Sequence, residues 1–200
     1  MRVLDVRAIR LCLPVPGCVC PGLRVLAASV RPVTVLDDRF AWFPGPLPNG
    51  LTVVQVYGWL FDDAGRVLVQ RTPEGVNLPG GSPEPQDGSL SATLAREALE
   101  ESQVQVGDPV VPGHERPADR PRADRGFVRV AARITRVLPH QPDVDGGRLL
   151  GRVMVSWERA VEVLAWGPAG AAQGRAAAEV ARQRWGLPVD APTAADADVA

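Results

Sequence analysis

The chain of 200 residues predicts an α/β fold of the α+β kind, a mixed sheet with covering helices. Two observations carry this. Strand-like runs of period two are interspersed with amphipathic runs of helical period. An early pair of strand-like runs is also joined by a tight turn. Apolar residues make up 46% and charged ones 22%, a globular composition on a chain long enough to bury a real core.

The elements follow in order. Residues 1–49 are broken by prolines and end in FPGPLPNG, which predicts an irregular N-terminal extension with a short strand at Val33 to Leu36. The opening MRVLDVRAIRLCLPVPGCVCPGL starts arginine-rich. Its apolar run is short, interrupted by Pro14, Pro16 and Pro21, and led by Asp5, so an extension is a plainer reading than a secretory signal. Residues 50–187 read as one domain and 188–200 as a flexible tail.

Within the domain, LTVVQVYGWLF is a strand of β-branched and aromatic residues. DDAG is a turn with Gly65 at the position needing positive φ, and RVLVQR is the returning strand. TPEGVNLPGG is a loop or a short edge strand. A helix runs roughly from Ser91 to Gln103, capped by Asp87 or Ser89. VQVGDPVV is strand-like, PGHERPADRPRADRG is a polar loop, and FVRVAARITRVL is a strand with one face exposed. The next stretch, QPDVDGGRLLGRVMVSWERAVEVL, mixes a loop with a short helix or strand. AGAAQGRAAAEVARQRW is the last helix, closed by Gly186 and Pro188.

Composition excludes several chemistries. All 22 basic residues are arginine, so neither a Walker-type phosphate loop nor a lysine Schiff base is available. Plentiful Ala, Gly, Pro and Val beside this lysine-free set is what a GC-rich bacterial genome yields. Cys12, Cys18 and Cys20 form no C-x-x-C pair, and two histidines cannot make a three-histidine metal site. No G-x-S-x-G occurs. A net charge of −1 argues for no nucleic-acid or anionic-membrane surface, and no run of 18 apolar residues predicts a membrane span.

The sharpest signal is LPGGSPEPQDGSLSATLAREALEESQV, residues 78–104. On a helical wheel at ~100° per residue, Leu90, Leu94, Ala95, Ala98 and Leu99 share one half. Glu97, Glu100 and Glu101 share an arc of about 100°, with Arg96 at its edge. Acidic helix faces are ordinarily just solvated. Two details weigh against that here. Like charges at i,i+3 and i,i+4 cost ~0.2–0.5 kcal/mol per pair. The acids also lie in the later half of the helix, where the macrodipole disfavours negative charge. A hard divalent cation relieves both penalties, and carboxylates at this spacing can ligate magnesium from one side. Gly80 and Gly81 form a simple turn or let the backbone approach a metal or pyrophosphate closely.

These residues resemble the Nudix hydrolase family. Its box is Gly, five residues, Glu, seven residues, then Arg-Glu-hydrophobic-any-Glu-Glu-any-Gly-hydrophobic. Here Gly81 starts the match, five residues lead to Asp87, and eight more lead to REALEESQV. Asp87 stands in place of the first glutamate and Gln103 in place of the glycine. Ala98 stands for a larger apolar residue, and Val76 where an aromatic is common.

The resemblance implies a Nudix-type α-β-α sandwich. It implies that Glu97, Glu100 and Glu101, with the Gly81 carbonyl, ligate magnesium or manganese. Arg96 would pair with a neighbouring carboxylate and fix its rotamer, completing a catalytic set of Glu97, Arg96 and Glu100. Gly80 would lie against the substrate. Water would attack one phosphorus of a nucleoside diphosphate linked to another group, such as a nucleoside triphosphate or ADP-ribose. Glu97, or a carboxylate outside the box, would take the proton. Glu115 is the candidate outside the box, against its ordinary reading as an exposed loop acid. Arg116, with Arg120, Arg122 and Arg125, either meets substrate phosphates or belongs to a solvated loop. Trp59, Trp157, Trp166 and Trp185 serve a base or the core.

The expectation is thus a cytoplasmic, metal-dependent pyrophosphohydrolase with a small-molecule nucleotide substrate and neither nucleic acid nor membrane as partner. Assembly as a homodimer stays open. Its rivals are a catalytically weak Nudix-fold nucleotide-binding or regulatory module, and a structural domain without a ligand.

Overall fold

The computed structural model describes residues 39–73, 75–142, 147, 149–191 and 197–199. The chain divides into two units, Met1–Val33 and Thr34–Ala200, and the described residues lie in the second. The strand expected at Val33 to Leu36 and the three cysteines fall outside them.

Along the chain come β1 (Phe40–Pro44), β2 (Thr52–Phe61), β3 (Val67–Thr72), β4 (Gly75–Asn77) and β5 (Gly80–Gly81). Helix α1 (Leu90–Ser102) is followed by β6 (Val104–Pro117), β7 (Arg125–Val137) and β8 (Gly151–Val155). Helices α2 (Trp157–Leu164) and α3 (Gly167–Trp185) precede the short β9 (Ala197–Asp198). The sheet runs β1-β6-β7-β2-β3-β8-β9, with β4 beside β3 and β5 beside β2. Only the β2–β7 pair is parallel among these strand pairs, so the sheet is mixed as the sequence predicts.

Alternation along β2 builds two cores, one on each face of the sheet. Val56 and Leu60 pack with Leu94 and Ala98 of α1. Trp59 and Phe61 pack with Ala160 and Leu164 of α2 and Ala177, Ala178 and Ala181 of α3. The result is helix, sheet, helix. Gly58 lets α1 come down onto the sheet, since a Cβ there would overlap the Leu94 side chain. At the β2–β3 turn the Asp62 carboxylate accepts from the Ala64 and Arg66 amides at 3.0 and 2.8 Å, and Gly65 has φ 75° as expected. Gly186 ends α3 in the left-handed conformation. No helix among the described residues is long and apolar enough to cross a membrane.

Four expectations are corrected. Phe40–Pro44, read as part of an irregular extension, is a sheet strand paired along its length with Pro117 to Gly113 of β6. Residues 112–117, read as loop, complete β6, and the antiparallel partners β1 and β7 hold them despite two prolines. Strand β7 is not exposed along one face: Arg129 is buried, because α3 covers the side on which it points. In the tail, Val189 is buried and Ala197–Asp198 pairs with β8.

One irregularity positions everything that follows. Strands β2 and β3 are paired only at their tips, Phe61 with Val67. Farther along they part, and β5 takes the place beside β2, pairing Gly81 with Val56 and Gly80 with Tyr57. β3 meanwhile pairs with β4. The sheet is therefore split where the glycine pair arrives.

Candidate active site

Ser89 starts α1, its hydroxyl accepting from the Ala92 amide at 3.1 Å. The helix ends at Gln103, which adopts the left-handed conformation at φ 47° in place of a glycine. Its side-chain amide donates to the Glu100 carbonyl at 2.9 Å and so closes the last turn. Leu94 and Ala98 of α1 face the sheet together with Thr93 and Ser102, whereas Ala95 and Leu99, expected on that half, are exposed. Arg96, Glu97, Glu100 and Glu101 lie on the side toward β5 and the loop after it.

The two glycines meet two different glutamates. The Gly80 amide donates to Glu101 Oε2 at 2.9 Å, and Gln70 Nε2 donates to the same oxygen at 3.0 Å. Gly81 lies so close to Glu97 that a Cβ there would overlap its carboxylate. Gly80 has φ 154°, and a Cβ there would overlap the Val56 carbonyl oxygen of β2. The glycine pair is thus required by close approach on both sides of β5. Gly80→Ala is expected to lower unfolding stability by ~1–3 kcal/mol, as overpacking against fixed backbone does, read from the urea midpoint.

Arg96 is the hub of the acids. Its Nε and Nη2 hold Asp87 at 2.9 and 3.2 Å, a two-pronged pair. Nη2 also reaches the Ser82 carbonyl at 3.0 Å and Glu97 Oε1 at 3.0 Å, and Nη1 reaches Glu100 Oε2 at 3.0 Å. Asp87 is therefore not the helix cap. It clamps Arg96, and the guanidinium, with the Glu84 amide, holds the Asp87 carboxyl far below its usual range. Burial pushes the Glu97 carboxyl up, and Arg96 opposes that shift. Gly88, between Asp87 and the start of the helix, has φ 69°.

Glu115 and Arg116 take other places. Glu115 is no exposed loop acid: it lies in β6 at 4% exposure. Its carboxylate accepts from Arg129 and from Gln173 of α3, on the sheet face away from α1. Arg116 donates to the Pro121 carbonyl at 2.9 Å and sits over the Phe43 ring. Trp59 is core, and Trp166 stands at the start of α3 near Tyr57.

Sequence reasoning missed Gln70, and it missed Arg129 and Gln173 as the partners of Glu115. Gln70 carried a readable signal. It shares a face of β3 with buried Leu68, so a polar group was aimed at α1. Arg129 carried none, because an arginine alternating with apolar residues reads as the wet face of a strand.

All donors at the α1 corner are oxygen atoms, the set a hard divalent cation takes. Among the described residues no three His, Cys, Asp or Glu side chains stand as a ready metal cage. Glu97 and Glu100 instead turn to Arg96. The donor set fits such a cation in chemistry, and binding requires those two carboxylates to exchange Arg96 for the ion.

The NUDIX domain family model matches residues 51–177. None of the curated proteins compared matches the chain. Among solved structures, a Nudix hydrolase from Nitrosomonas europaea is similar at 18% identity and TM-score 0.47, over 72% of this chain and 97% of that one. The E. coli ORF135 protein is similar at 23% identity and TM-score 0.43, over 70% and 98%. The Bacillus subtilis pyrophosphohydrolase BsRppH is similar at 18% identity and TM-score 0.41; the match covers 50% of this chain and 61% of that one. With the family model matched across well over half of its length, the chain belongs to the Nudix hydrolase family, whose members hydrolyse phosphoric anhydride bonds.

Proposed function

We propose that the chain is a magnesium- or manganese-dependent pyrophosphohydrolase. It would cleave the diphosphate of a nucleoside diphosphate linked to another group by attack of water on phosphorus. The observation that carries this is the double contact of the glycine pair with the acidic helix: Gly80 bonded to Glu101 and Gly81 pressed on Glu97. A solvated acidic face needs no such backbone approach.

Glu97, Glu100 and Glu101, with the Gly81 carbonyl, would hold the cation. Bound there, the ion supplies charge neutralisation of the diphosphate and a more acidic water. The chain's own residues do the rest. Gly80 and Gln70 fix the orientation of Glu101. Asp87 and the Ser82 carbonyl keep Arg96 in place when the glutamates turn away from it. Glu97, set against the backbone at β5, is the group that would take the proton from the attacking water. Glu115 is already committed to Arg129 and Gln173, which favours Glu97 for that role.

The test is a hydrolysis screen of nucleoside triphosphates, dinucleotides, nucleotide sugars and ADP-ribose with each metal. Release of a nucleoside monophosphate or pyrophosphate, only with metal, is the expected result. No release from any of them would leave a nucleotide-binding module instead. In the same assay Asp87→Ala should lower kcat by ~10–100-fold, the range for a residue that orients ligands. Glu100→Gln should lower it further, and equal losses would put Asp87 among the ligands.

A further inference from the structure

Strand β8 carries a buried charge. Arg152 is 1% exposed and stands opposite Gln70 in the antiparallel β3–β8 pair. Residues opposed in this way share one face of a sheet. Here it is the face that α1 covers. Leu68 and Met154, two residues along from Gln70 and Arg152, belong to the same core as Leu94 and Ala98.

Both side chains reach the same helix end. Gln70 Nε2 donates to the Ser102 hydroxyl and to Glu101 Oε2, each at 3.0 Å. Arg152 Nη1 donates to the Ser102 carbonyl at 3.0 Å and to the Leu138 carbonyl at 3.1 Å. The Leu138 amide in turn donates to the Gln103 carbonyl at 2.8 Å. The far side of the guanidinium is tied to the tail. Nη2 donates to the Val199 carbonyl at 3.4 Å, and the Val199 amide donates to the Arg152 carbonyl at 2.9 Å. The guanidinium is thus held on both sides against the last turn of α1.

That turn calls for a cation. The last carbonyls of a helix have no partner within it and form the negative end of its dipole. Glu100 and Glu101 add two acids there, and no basic residue stands in the last turn. Arg152 supplies the opposite charge from a strand. Stability alone does not explain it, because a buried charge costs desolvation and apolar residues of similar volume often serve as well. An apolar residue cannot hold the Ser102 carbonyl. That carbonyl fixes the turn from which Glu101, one residue earlier, reaches the Gly80 amide.

We propose that Arg152 is a positioning residue for the glutamates of α1: it sets the last helical turn, so that Glu101 meets Gly80 and Gln70 in the orientation that takes the cation. This deepens the pyrophosphohydrolase reading and rests on it for the cation.

The test is calorimetric titration of manganese into the wild type, Arg152→Met and Arg152→Lys, each beside a urea melt. Arg152→Met should weaken manganese binding ~10–100-fold, the cost of losing a group that orients ligands. Arg152→Lys keeps the charge but loses the planar fork, so its affinity should fall between the other two. A purely structural arginine would move the urea midpoint and leave the manganese affinity of the folded chain alone. Equal affinity in wild type and folded Arg152→Met would therefore overturn the proposal, as would Arg152→Lys binding no tighter than Arg152→Met. If Arg152→Met does not fold, Arg152→Lys decides: weaker binding than the wild type is expected, and equal binding overturns the proposal. A wild type that binds no manganese would remove the metal site itself and the proposal with it, whereas equal binding in the variants would remove Arg152 alone.

Discussion

Replacing Glu101 by glutamine should lower turnover by more than ~100-fold, beyond what orienting residues alone cost, while leaving the unfolding midpoint unchanged. The fold should survive for a geometric reason. Two bonds to Glu101, from the Gly80 amide and from Gln70, end on one oxygen. An amide oxygen in that position accepts both. What glutamine removes is the negative charge and one potential oxygen ligand. Steady-state kinetics beside a urea melt separates these effects. A variant that melts early would mean that the charge supports the helix, and full activity would remove Glu101 from the metal set.

Gly81→Ala is the second large effect, and it should leave the same signature by a different route. The new Cβ would overlap the carboxylate of Glu97. That carboxylate is the far end of a flexible side chain, so it can move and the sheet need not. Stability should change by about 1 kcal/mol or less, near the ordinary range for sites away from packed features. Activity should fall by ~100-fold or more, since small misplacement of a reacting group is costly. The contrast with Gly80→Ala is the check. There the obstruction is the Val56 carbonyl and the Tyr57 backbone, which cannot swing aside. If both variants lose stability equally, β5 is only a structural turn.

The acidic helix was legible in the sequence because its two faces differ in kind. Leu90, Leu94 and Ala98 named the buried side, though Ala95 and Leu99 of the same apolar half are exposed, and three glutamates and an arginine named the other. The hairpin was legible because DDAG closes it, with Asp62 binding the turn amides. Strand β1 and the end of β6 were not. Their prolines read as punctuation, and only the pairing of Phe40–Pro44 with Gly113–Pro117, remote in sequence, makes them strands. The role of Asp87 was hidden too. Its spacing from Arg96 departs from the family box, yet the two still meet. Glu115 and Arg129 lie fourteen residues apart and on different strands. Each alone looks like a surface charge, and burial under α3 exists only once the sheet has formed.

The central claim is that the carboxylates of α1 hold a divalent cation. Calorimetric titration of manganese into the wild-type chain and into Glu100→Gln tests it most directly. The account predicts saturable binding to the wild type that is weakened ~10-fold or more in the variant, the scale set by residues that support metal sites. No binding to the wild type, or equal binding to both, would contradict it.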